Sequence, residues 1–443
     1  MQKDPLALHA GAAGAAEVHT HDAPAVTQRG AIAAAVIGNW LEFFDFTVYG
    51  FFAVLIGRLF FPSSDPTTSL LLSVATFAAG FFTRPLGSVV LGVYADRKGR
   101  KAALNLTIML MALGTGLIAI APTYAQAGVA APLLIVVARL MQGFSQGGEF
   151  GAATSTLIEH GGTSRRAFRA SWQLATQGGA ALMGSGFAAL LSNTLTKDAL
   201  EGWGWRLPFF AGLLIAPVGM YLRRRLADDA PGDHHHAIER GVLRELFSKH
   251  ARTVLLLMLT VMGGTVSTYI LTFYMPTYAI HTLGVPMKLS MFVGVASGCV
   301  MLVTCPLFGW LSDRLGSRRM PIFVERGVLV LQLFPAFWLM NHHPTLSVIL
   351  PLTALMLLFY SLGSASEMAL MCESLPRHVR ATGISIAYAM AVTIFGGTAQ
   401  LVATWLVKTT GSKLAPAGYV AACVVLSLIA VAMLRETARE SMD

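Results

Sequence analysis

Two stretches of the chain carry nearly the same phrase. Residues 92–101 read GVYADRKGRK, and residues 309–319 read GWLSDRLGSRR. Each phrase joins two long apolar segments through a short basic turn that contains a glycine. Each also contains one aspartate, Asp96 in the first copy and Asp313 in the second. A phrase that recurs in this way indicates an internal repeat.

A second pair of residues is repeated at nearly the same offset along the chain. Glu159 with Arg166 is matched by Glu373 with Arg380. The chain is therefore predicted to be a duplicated membrane unit. Duplicated units that share an interior are typical of transporters.

The composition also indicates a membrane protein. Of the 443 residues, 55% are apolar and 12% are charged, and the mean hydropathy is +0.62. Soluble domains keep about a quarter of their residues charged, and apolar runs of about 20 residues indicate membrane-spanning helices. We predict an all-α membrane protein with twelve transmembrane helices in two six-helix halves. The predicted spans are 31–57, 69–94, 102–121, 131–158, 168–192, 205–222, 252–276, 288–311, 320–340, 346–370, 382–407 and 416–434.

The distribution of basic residues predicts the orientation. The net charge of +9 is compatible with nucleic-acid binding, but most of the 32 lysines and arginines fall in tails and loops on one side of the predicted membrane. Because cytoplasmic loops carry the excess of Lys and Arg, we expect both termini in the cytoplasm and no nucleic-acid partner. The predicted divisions are a cytoplasmic tail (1–29), a first helical bundle (30–225), a central cytoplasmic loop (226–250), a second bundle (251–434) and a cytoplasmic tail (435–443).

Motifs for metals, cofactors and catalysis are weak in this sequence. The four cysteines lie in predicted helices without metal-ligand spacing. The three histidines at 234–236 are more typical of a solvated linker than of a metal site. We recognise neither a phosphate loop nor a nucleophile with a base. We therefore expect no metal, no cofactor and no enzymatic activity, with an ion gradient as the energy source.

The doubled phrase resembles the loop signature of the major facilitator superfamily, which lies between helices 2 and 3 and again between helices 8 and 9. The second copy departs from the signature at Leu315 and Ser317. The resemblance extends over residues 30–434. It implies a multi-pass transporter of the bacterial inner membrane, which we expect to be a monomer.

Shorter motifs are similar to those of the metabolite:proton symporter family. They are GNWLEFFDF at 38–46, RPLG at 84–87 and RLMQGFSQGGE at 139–149. Within that family, three further motifs are most similar to those of the citrate and tricarballylate branch. They are SWQ at 171–173 with Gln177, FYMPTY at 273–278 and IFGG at 394–397. The resemblance implies proton-coupled symport of a di- or tricarboxylate.

Charged residues are predicted inside the membrane, where each costs at least ~2.5–3.5 kcal/mol on insertion scales and must be paired, hydrated or functional. At 1.5 Å per residue, Asp45 lies roughly 22 Å into its helix. We predict that Arg84 and Arg139 bind the substrate, and that Asp45, Glu42 and Glu149 carry the proton. The alternative is a set of fixed ion pairs that only orient helices, with Arg139 as a permanent partner of Asp45.

Neutral polar groups complete the predicted substrate site. The candidates are Asn39, Gln142, Gln173, Gln177, Tyr269 and Tyr274. Helix–helix hydrogen bonding stays open as the alternative for the amides, and packing for the tyrosines. The second-half positions that correspond to the first-half charges are uncharged. We therefore expect charge in the first half and hydroxyls and rings in the second, and we assign no role to Glu367.

A coupling mechanism follows as a hypothesis. An interior arginine is neutralised either by Asp45 or by a substrate carboxylate, for which its forked guanidinium is suited. Protonation of Asp45 frees the arginine and raises the affinity for the anion. Proton and substrate then favour each other's binding, which is symport by linkage.

The repeated acid–base pairs are predicted to form a gate. The resemblance implies a charge network that locks the outward-facing state and breaks when the protein opens inward. Partly exposed ion pairs are worth only ~0–1 kcal/mol each, which suits a contact that opens in every cycle. The alternative is that the basic loops only fix topology. The predicted gating residues are Asp96, Arg100, Glu159, Arg166, Asp313, Glu373 and Arg380.

Other functions remain to be weighed. A symporter of betaine, proline, shikimate or a dicarboxylate such as 2-oxoglutarate is the nearest alternative. A membrane receptor would need a larger signalling domain than these tails and this loop provide. An intramembrane enzyme is disfavoured because Glu367 and Glu373 are not accompanied by a metal-ligating histidine.

Overall fold

The structure is a computed structural model that describes residues 28–147, 165–213, 217 and 240–437. Every regular element in these ranges is helical. We call residues 28–213 the first half of the chain and residues 240–437 the second half. The helices of the first half are α1 Gln28–Phe51, α2 Ala53–Phe60, α3 Pro66–Phe82, α4 Arg84–Lys98, α5 Arg100–Ile120, α6 Tyr124–Ala127, α7 Ala130–Gln146, α8 Arg166–Thr194 and α9 Lys197–Gly202.

The second half contains nine further helices and two segments of π-helix. The π-helical segments, Tyr269–Tyr274 and Val392–Gly396, each interrupt a long membrane helix. Such π-helical turns occur frequently at functional sites. The helices are α10 Arg240–Lys249, α11 Ala251–Thr268, α12 Met275–His281, α13 Met287–Leu315, α14 Arg319–His342, α15 Leu346–Glu373, α16 Arg377–Ala391, α17 Ala399–Thr410 and α18 Ala415–Met433.

Eight helices of the described chain are long and apolar enough to cross a membrane. A ninth span is formed if Phe43–Phe51 and Ala53–Phe60, which are bent by 67°, count together. Asn105–Ile120 is a shorter apolar helix, and the predicted spans 131–158 and 205–222 run into residues outside the described ranges. The predicted count of twelve is consistent with this set. The eight spans are Pro66–Tyr94, Arg166–Thr194, Ala251–His281, Met287–Leu315, Arg319–His342, Leu346–Glu373, Thr382–Thr410 and Ala415–Met433.

Both copies of the doubled phrase turn at a glycine. Gly99 has φ = 91° and precedes α5, and Gly316 has φ = 64° and ends α13 in the left-handed conformation. A side chain disfavours positive φ, so glycine is the residue that each turn requires.

Small residues bring α7 close to α3 and α4. A Cβ added at Gly143 would collide with the Gly80 carbonyl, and one added at Gly147 would collide with the Arg84 carbonyl. The sequence predicts a close helix contact from Gly143, Gly147 and Gly151, and the structure confirms it for the first two. Gly151 lies outside the described residues. This contact fixes the backbone of Arg84 against α7.

The predicted central loop is partly helical. Residues 240–249 form α10, although we expect a solvated linker over 226–250. The prediction is wrong for this part because the segment is amphipathic. Leu246 is fully buried against Gly383 of α16, whereas Arg244 and Lys249 are exposed. The histidines at 234–236 lie outside the described residues.

Candidate functional site

Asp45 lies on α1 with its carboxylate buried between helices. It is 7% exposed, and its Oδ2 accepts a hydrogen bond of 3.1 Å from the Thr115 hydroxyl on α5. Its Oδ1 packs against Gly212, where a Cβ would collide with it. The carboxylate is therefore held by the hydrogen bond from Thr115, and the absence of a side chain at Gly212 leaves space for it.

A chain of hydrogen bonds connects Asp45 to Arg139. The Thr115 hydroxyl, which donates to Asp45, accepts a bond of 2.9 Å from the Gln142 Nε2. The Gln142 Oε1 in turn accepts a bond of 2.8 Å from the Arg139 Nη1. Thr115 was not among the predicted site residues, because nothing in the sequence distinguishes it from other threonines in apolar helices.

Arg139 is fully buried and surrounded by aromatic rings. Its guanidinium carbon lies 4.2 Å from the ring centroid of Phe46, 4.7 Å from that of Tyr49 and 5.0 Å from that of Phe77. Cation–π contacts of this kind stabilise a desolvated guanidinium. The Nε and Nη2 groups have no hydrogen-bond partner. Because Gln142 holds the remaining Nη1, the structure contradicts the alternative of a direct, permanent Arg139–Asp45 ion pair.

Arg84 is placed beside the same aromatic group. Its guanidinium carbon lies 4.1 Å from the Phe81 ring centroid and 4.9 Å from that of Phe46, which it shares with Arg139. One Nη donates to Gln146, and the buried Nε has no partner. Two guanidinium groups with unpaired N–H groups thus flank one phenylalanine ring.

Two of the predicted acidic residues cannot be placed. Glu149 lies outside the described residues. Glu42 is on the described backbone of α1, but its side chain is not described. The proton-carrying roles predicted for both remain predictions.

The predicted amides divide into two groups. Asn39 and Gln173 bind each other, with a bond of 3.1 Å from Gln173 Nε2 to Asn39 Oδ1, and Asn39 also donates to Thr176. These bonds join α1 to α8, as the helix–helix alternative expects. Gln142 instead bridges Thr115 and Arg139, while Gln177 forms a hydrogen bond with the second-half residue Tyr388.

The predicted tyrosines are buried in the second half. Tyr269 packs edge-on against Phe81, with the ring centroids 5.7 Å apart. The Tyr274 hydroxyl accepts a bond of 3.3 Å from Thr404. Gln400, which the sequence did not suggest, is fully buried near Gly50, and neither its Oε1 nor its Nε2 has a partner.

Charge is also buried in the second half. Glu325 and Arg326 on α14 and Glu367 on α15 are at most 3% exposed, and Arg326 forms ion pairs with both acids. The expected contrast, with charge in the first half and hydroxyls and rings in the second, therefore does not hold for these three residues. The expectation compared only the positions at the repeat offset, whereas these charges lie at other positions of the second half.

The two halves are bridged at the side predicted to be cytoplasmic. Arg166 at the start of α8 lies 3.3 Å from the Glu373 Oε1 at the end of α15. The Asp313 carboxylate accepts bonds of 3.1 Å and 2.9 Å from the backbone N–H groups of Ala167 and Phe168. Asp313 thus serves as an anion at a helix N-terminus, where unpaired N–H groups and the helix dipole favour negative charge.

Arg318 joins this bridge although it was not predicted as a gating residue. Its guanidinium lies 3.0 Å from Asp313 and 3.2 Å from Glu373. Burial alone would lower the pKa of Arg318, but these two carboxylates raise it above its usual value. The sequence signal was available, since Arg318 occupies the basic end of the second phrase.

The remaining predicted gating residues have other positions. Arg380 is buried and donates a bond of 3.1 Å from its Nε to the Leu375 carbonyl. Asp96 and Arg100 lie on described helices, but their side chains are not described. Glu159 lies outside the described residues. Their gating roles stay predictions.

The opposite side of the molecule carries a second bridge between the halves. The Lys408 Nζ lies 2.7 Å from the Asp65 Oδ2, and it also contacts the Thr68 hydroxyl. The hydrogen bond from Lys408 and that from Thr68 lower the pKa of Asp65 below its usual value. Both sides are thus linked in this structure.

We predict that Asp313→Asn weakens the bridge on the predicted cytoplasmic side. Asparagine keeps one acceptor oxygen but removes the negative charge that faces the α8 N-terminus and Arg318. Hydrogen bonds to charged groups contribute about 1.5–3 kcal/mol. We expect a shift of about 1.4 kcal/mol, or tenfold, towards the state open on that side.

Spin labels at the exposed positions Arg165 and Leu315, in a background without the native cysteines, would measure this opening. The variant should show a larger population of long distances. Asp198→Asn, at an exposed position on the opposite side, is the matched control. An unchanged distance distribution in Asp313→Asn would contradict a gating role for this carboxylate.

Comparison with known proteins places these features in a family. A model of the Major Facilitator Superfamily matches residues 35–399. The chain is 36% identical over 409 residues to the citrate-proton symporter of Salmonella typhi, covering 91% of this chain and 93% of that protein. It is 33% identical over 425 residues to the proline/betaine transporter of Salmonella typhimurium, covering 93% and 84%.

A solved structure agrees on the fold. The xylose transporter XylE from E. coli, in a partially occluded inward open conformation, superposes with a TM-score of 0.73. The match covers 94% of this chain and 99% of that chain at 15% sequence identity, so it supports the fold alone. The repeat, the helical architecture and the matches agree that this chain is a multi-pass membrane transporter, not an enzyme, and that it belongs to the major facilitator superfamily.

Proposed function

We propose that the chain is a proton-coupled symporter that carries a di- or tricarboxylate of the citrate type into the cell by alternating access. The observation that carries this proposal is the pair of guanidinium groups of Arg84 and Arg139. The buried Nε of each, and the Nη2 of Arg139, have no hydrogen-bond partner. An arginine without an anion is costly inside a membrane. A substrate carboxylate would supply the missing acceptors through the forked geometry that arginine favours.

The hydrogen-bonded chain supplies a route for coupling. Arg139, Gln142, Thr115 and Asp45 form a continuous path. When Asp45 is ionised, its negative charge lies near the position of the anion and opposes binding. When Asp45 is protonated, that repulsion disappears, so proton and anion bind together.

A second candidate is a symporter of a zwitterion such as betaine or proline. The aromatic rings of Phe46, Tyr49 and Phe77 could hold a quaternary ammonium, and one relative is a proline/betaine transporter. We favour the carboxylate because these rings already face the Arg139 guanidinium. In addition, a zwitterion such as betaine or proline has one carboxylate, which one arginine could bind, whereas this site contains two arginines.

Purified protein in liposomes would test the proposal. Uptake of labelled citrate, tricarballylate, 2-oxoglutarate, betaine, proline and shikimate is measured under an imposed pH gradient, with internal acidification recorded. We expect accumulation of a di- or tricarboxylate together with acidification. Accumulation of betaine or proline alone would support the second candidate. The absence of any proton-driven accumulation would overturn both candidates.

We further propose that the protein lies in the bacterial inner membrane with both termini in the cytoplasm. The support for this orientation is the excess of lysine and arginine in loops on one side. The Arg166–Glu373 bridge would then close the cytoplasmic side, and the Asp65–Lys408 bridge the outer side.

A further inference from the structure

A cluster of three charged residues lies inside the second half, apart from the site described above. We call Glu325, Arg326 and Glu367 the second-half triad. The Arg326 Nη2 donates to the Glu367 Oε2 and, at 3.0 Å, to the Thr260 carbonyl of α11. The Arg326 Nε lies 3.6 Å from the Glu325 Oε2, which is an ion pair but not a hydrogen bond.

The two carboxylates of the triad are not equivalent. Glu367 is hydrogen-bonded to Arg326, whereas both oxygens of Glu325 are buried without a hydrogen-bond partner. Each acid packs tightly against a glycine of a neighbouring helix. A Cβ at Gly363 would lie 2.6 Å from the Glu325 Oε2, and one at Gly264 would lie 2.6 Å from the Glu367 Oε2. This packing leaves little room for rearrangement around either group.

The charge balance of the triad requires a proton. One guanidinium neutralises one carboxylate, and a second ionised carboxylate without hydrogen bonds would be strongly disfavoured in this environment. The cluster reaches zero net charge when one acid is ionised and the other holds a proton. Because the acids interact closely, that proton belongs to the pair and not to one residue.

The groups that face the triad include no second described cation. The other titratable groups close enough to interact with one of its carboxylates are Tyr360 on α15 and Tyr388 on α16. Cys305 on α13 interacts with Tyr360. Thr260 contributes its carbonyl from α11, and Ser427 of α18 donates to that same carbonyl. The proton is therefore the remaining source of positive charge in the described surroundings.

The triad lies on the same two helices as the gate. Glu325 is seven residues after Arg318, and Glu367 is six residues before Glu373. At 1.5 Å per residue, the triad is about 9–10 Å from the gate along the same two helices. On the neighbouring helix α16, Tyr388 is hydrogen-bonded to Gln177 of the first half.

We propose that the second-half triad is a second proton-binding site, which carries one proton per transport cycle in addition to the proton on Asp45. The proposal rests on the proposed proton-coupled function. In the loaded state one acid is neutral and the other pairs with Arg326. When the gate formed by Arg318 and Glu373 opens, the neutral acid releases its proton to water. Arg326 then lies between two ionised carboxylates until the next proton enters.

Glu325→Gln tests the proposal because glutamine has the shape of the protonated acid but cannot release a proton. The number of protons carried per substrate is obtained from the pH gradient that brings net flux to zero in proteoliposomes. We expect the variant to carry one proton fewer per substrate than the wild-type protein. Its uptake rate, plotted against pH, should show one titration step fewer. Glu245→Gln, on the short helix α10, is the matched control and should match the wild type.

The outcomes separate this proposal from the proposed function. If the wild-type protein moves no protons, the proposed function fails and this inference fails with it. If the wild-type protein moves protons and Glu325→Gln moves the same number with the same pH profile, only the triad proposal is overturned. A merely structural ion pair would change protein yield or stability but not the proton count.

A second measurement covers the case in which Glu325→Gln does not fold. Infrared difference spectra of the full-length wild-type protein, between mildly acidic and alkaline buffers, report the C=O stretch of buried protonated carboxyl groups. Comparison with Asp45→Asn isolates the band that does not belong to Asp45, and Glu367→Gln should abolish or shift it. If no such band titrates in Asp45→Asn, the triad does not exchange a proton and the proposal is wrong.

Discussion

Replacing Arg84 with alanine should abolish carboxylate uptake while leaving the protein folded in the membrane. The guanidinium lies against the Phe81 and Phe46 rings, and its Nε has no partner. Truncating one member of a buried charge pair costs about 2–5 kcal/mol. We therefore expect the affinity for the anion to fall by at least about thirtyfold. Uptake of labelled citrate by proteoliposomes measures the loss.

Two further variants serve as comparisons for Arg84→Ala. Arg84→Lys keeps the charge but loses the two-pronged geometry, so it should restore only part of the affinity. Arg97→Ala removes an exposed arginine at the other end of the same helix and should transport normally. Gel-filtration profiles establish that each variant is folded. Normal uptake by Arg84→Ala would exclude this residue from the substrate site.

Replacing Asp45 with asparagine should remove the part of the proton coupling that Asp45 carries. Asparagine resembles the protonated acid, and it can still accept the hydrogen bond from Thr115. It cannot release a proton on the other side of the membrane. One pH unit supplies about 1.4 kcal/mol per proton, or a tenfold accumulation. We expect this tenfold accumulation per pH unit to be lost, whereas exchange of labelled for unlabelled substrate continues.

The measurement compares two assays on the same vesicles. Uptake driven by a pH gradient reports coupling, and counterflow without a gradient reports binding and the movement between states. Asp198→Asn, at an exposed position, should behave as the wild type in both. The coupling role of Asp45 would be refuted by a variant that carries as many protons per substrate, and accumulates as much substrate per pH unit, as the wild-type protein.

The two halves of the chain are joined by a bridge on each of two opposite sides, and both bridges are formed in this structure. Glu373, Asp313 and Arg318 join the halves on one side, and Asp65 with Lys408 joins them on the other. The first bridge is buried, so the expectation of partly exposed gating pairs is wrong for Arg166, Asp313 and Glu373. The second bridge is exposed. Exposed ion pairs contribute little and are screened by salt. The Asp65–Lys408 bridge is therefore the weaker of the two bridges.

The site illustrates which predictions a sequence supports. Arg84, Arg139 and Asp45 were identified because a charge in an apolar run is conspicuous, and the structure brings all three to one region. Thr115 and Gln400 were missed because a neutral polar residue in a helix carries no such signal. Asn39 and Gln173 were predicted to bind substrate, but in this structure they bond to each other. Whether they also bind substrate stays a prediction.

The fold likewise contains elements that the sequence predicts and elements that it does not. The lengths of the apolar runs predicted the spans of α13, α14 and α15 to within about four residues. The short helix α10 was missed because its burial depends on contact between Leu246 and α16, two elements that are distant in sequence.

By itself, the sequence determined that this protein is a duplicated bundle of membrane helices with charge in its interior. Apolar runs of about 20 residues are what a membrane-spanning helix requires, and a charged residue inside such a run is conspicuous. The tertiary structure alone decided which polar groups meet. Thr115 connects Asp45 to Gln142, Arg318 joins the gate, and Glu325 lies beside Arg326 without a hydrogen bond. These contacts depend on the rotation and offset of each helix against its neighbours, and hydropathy carries no information about either.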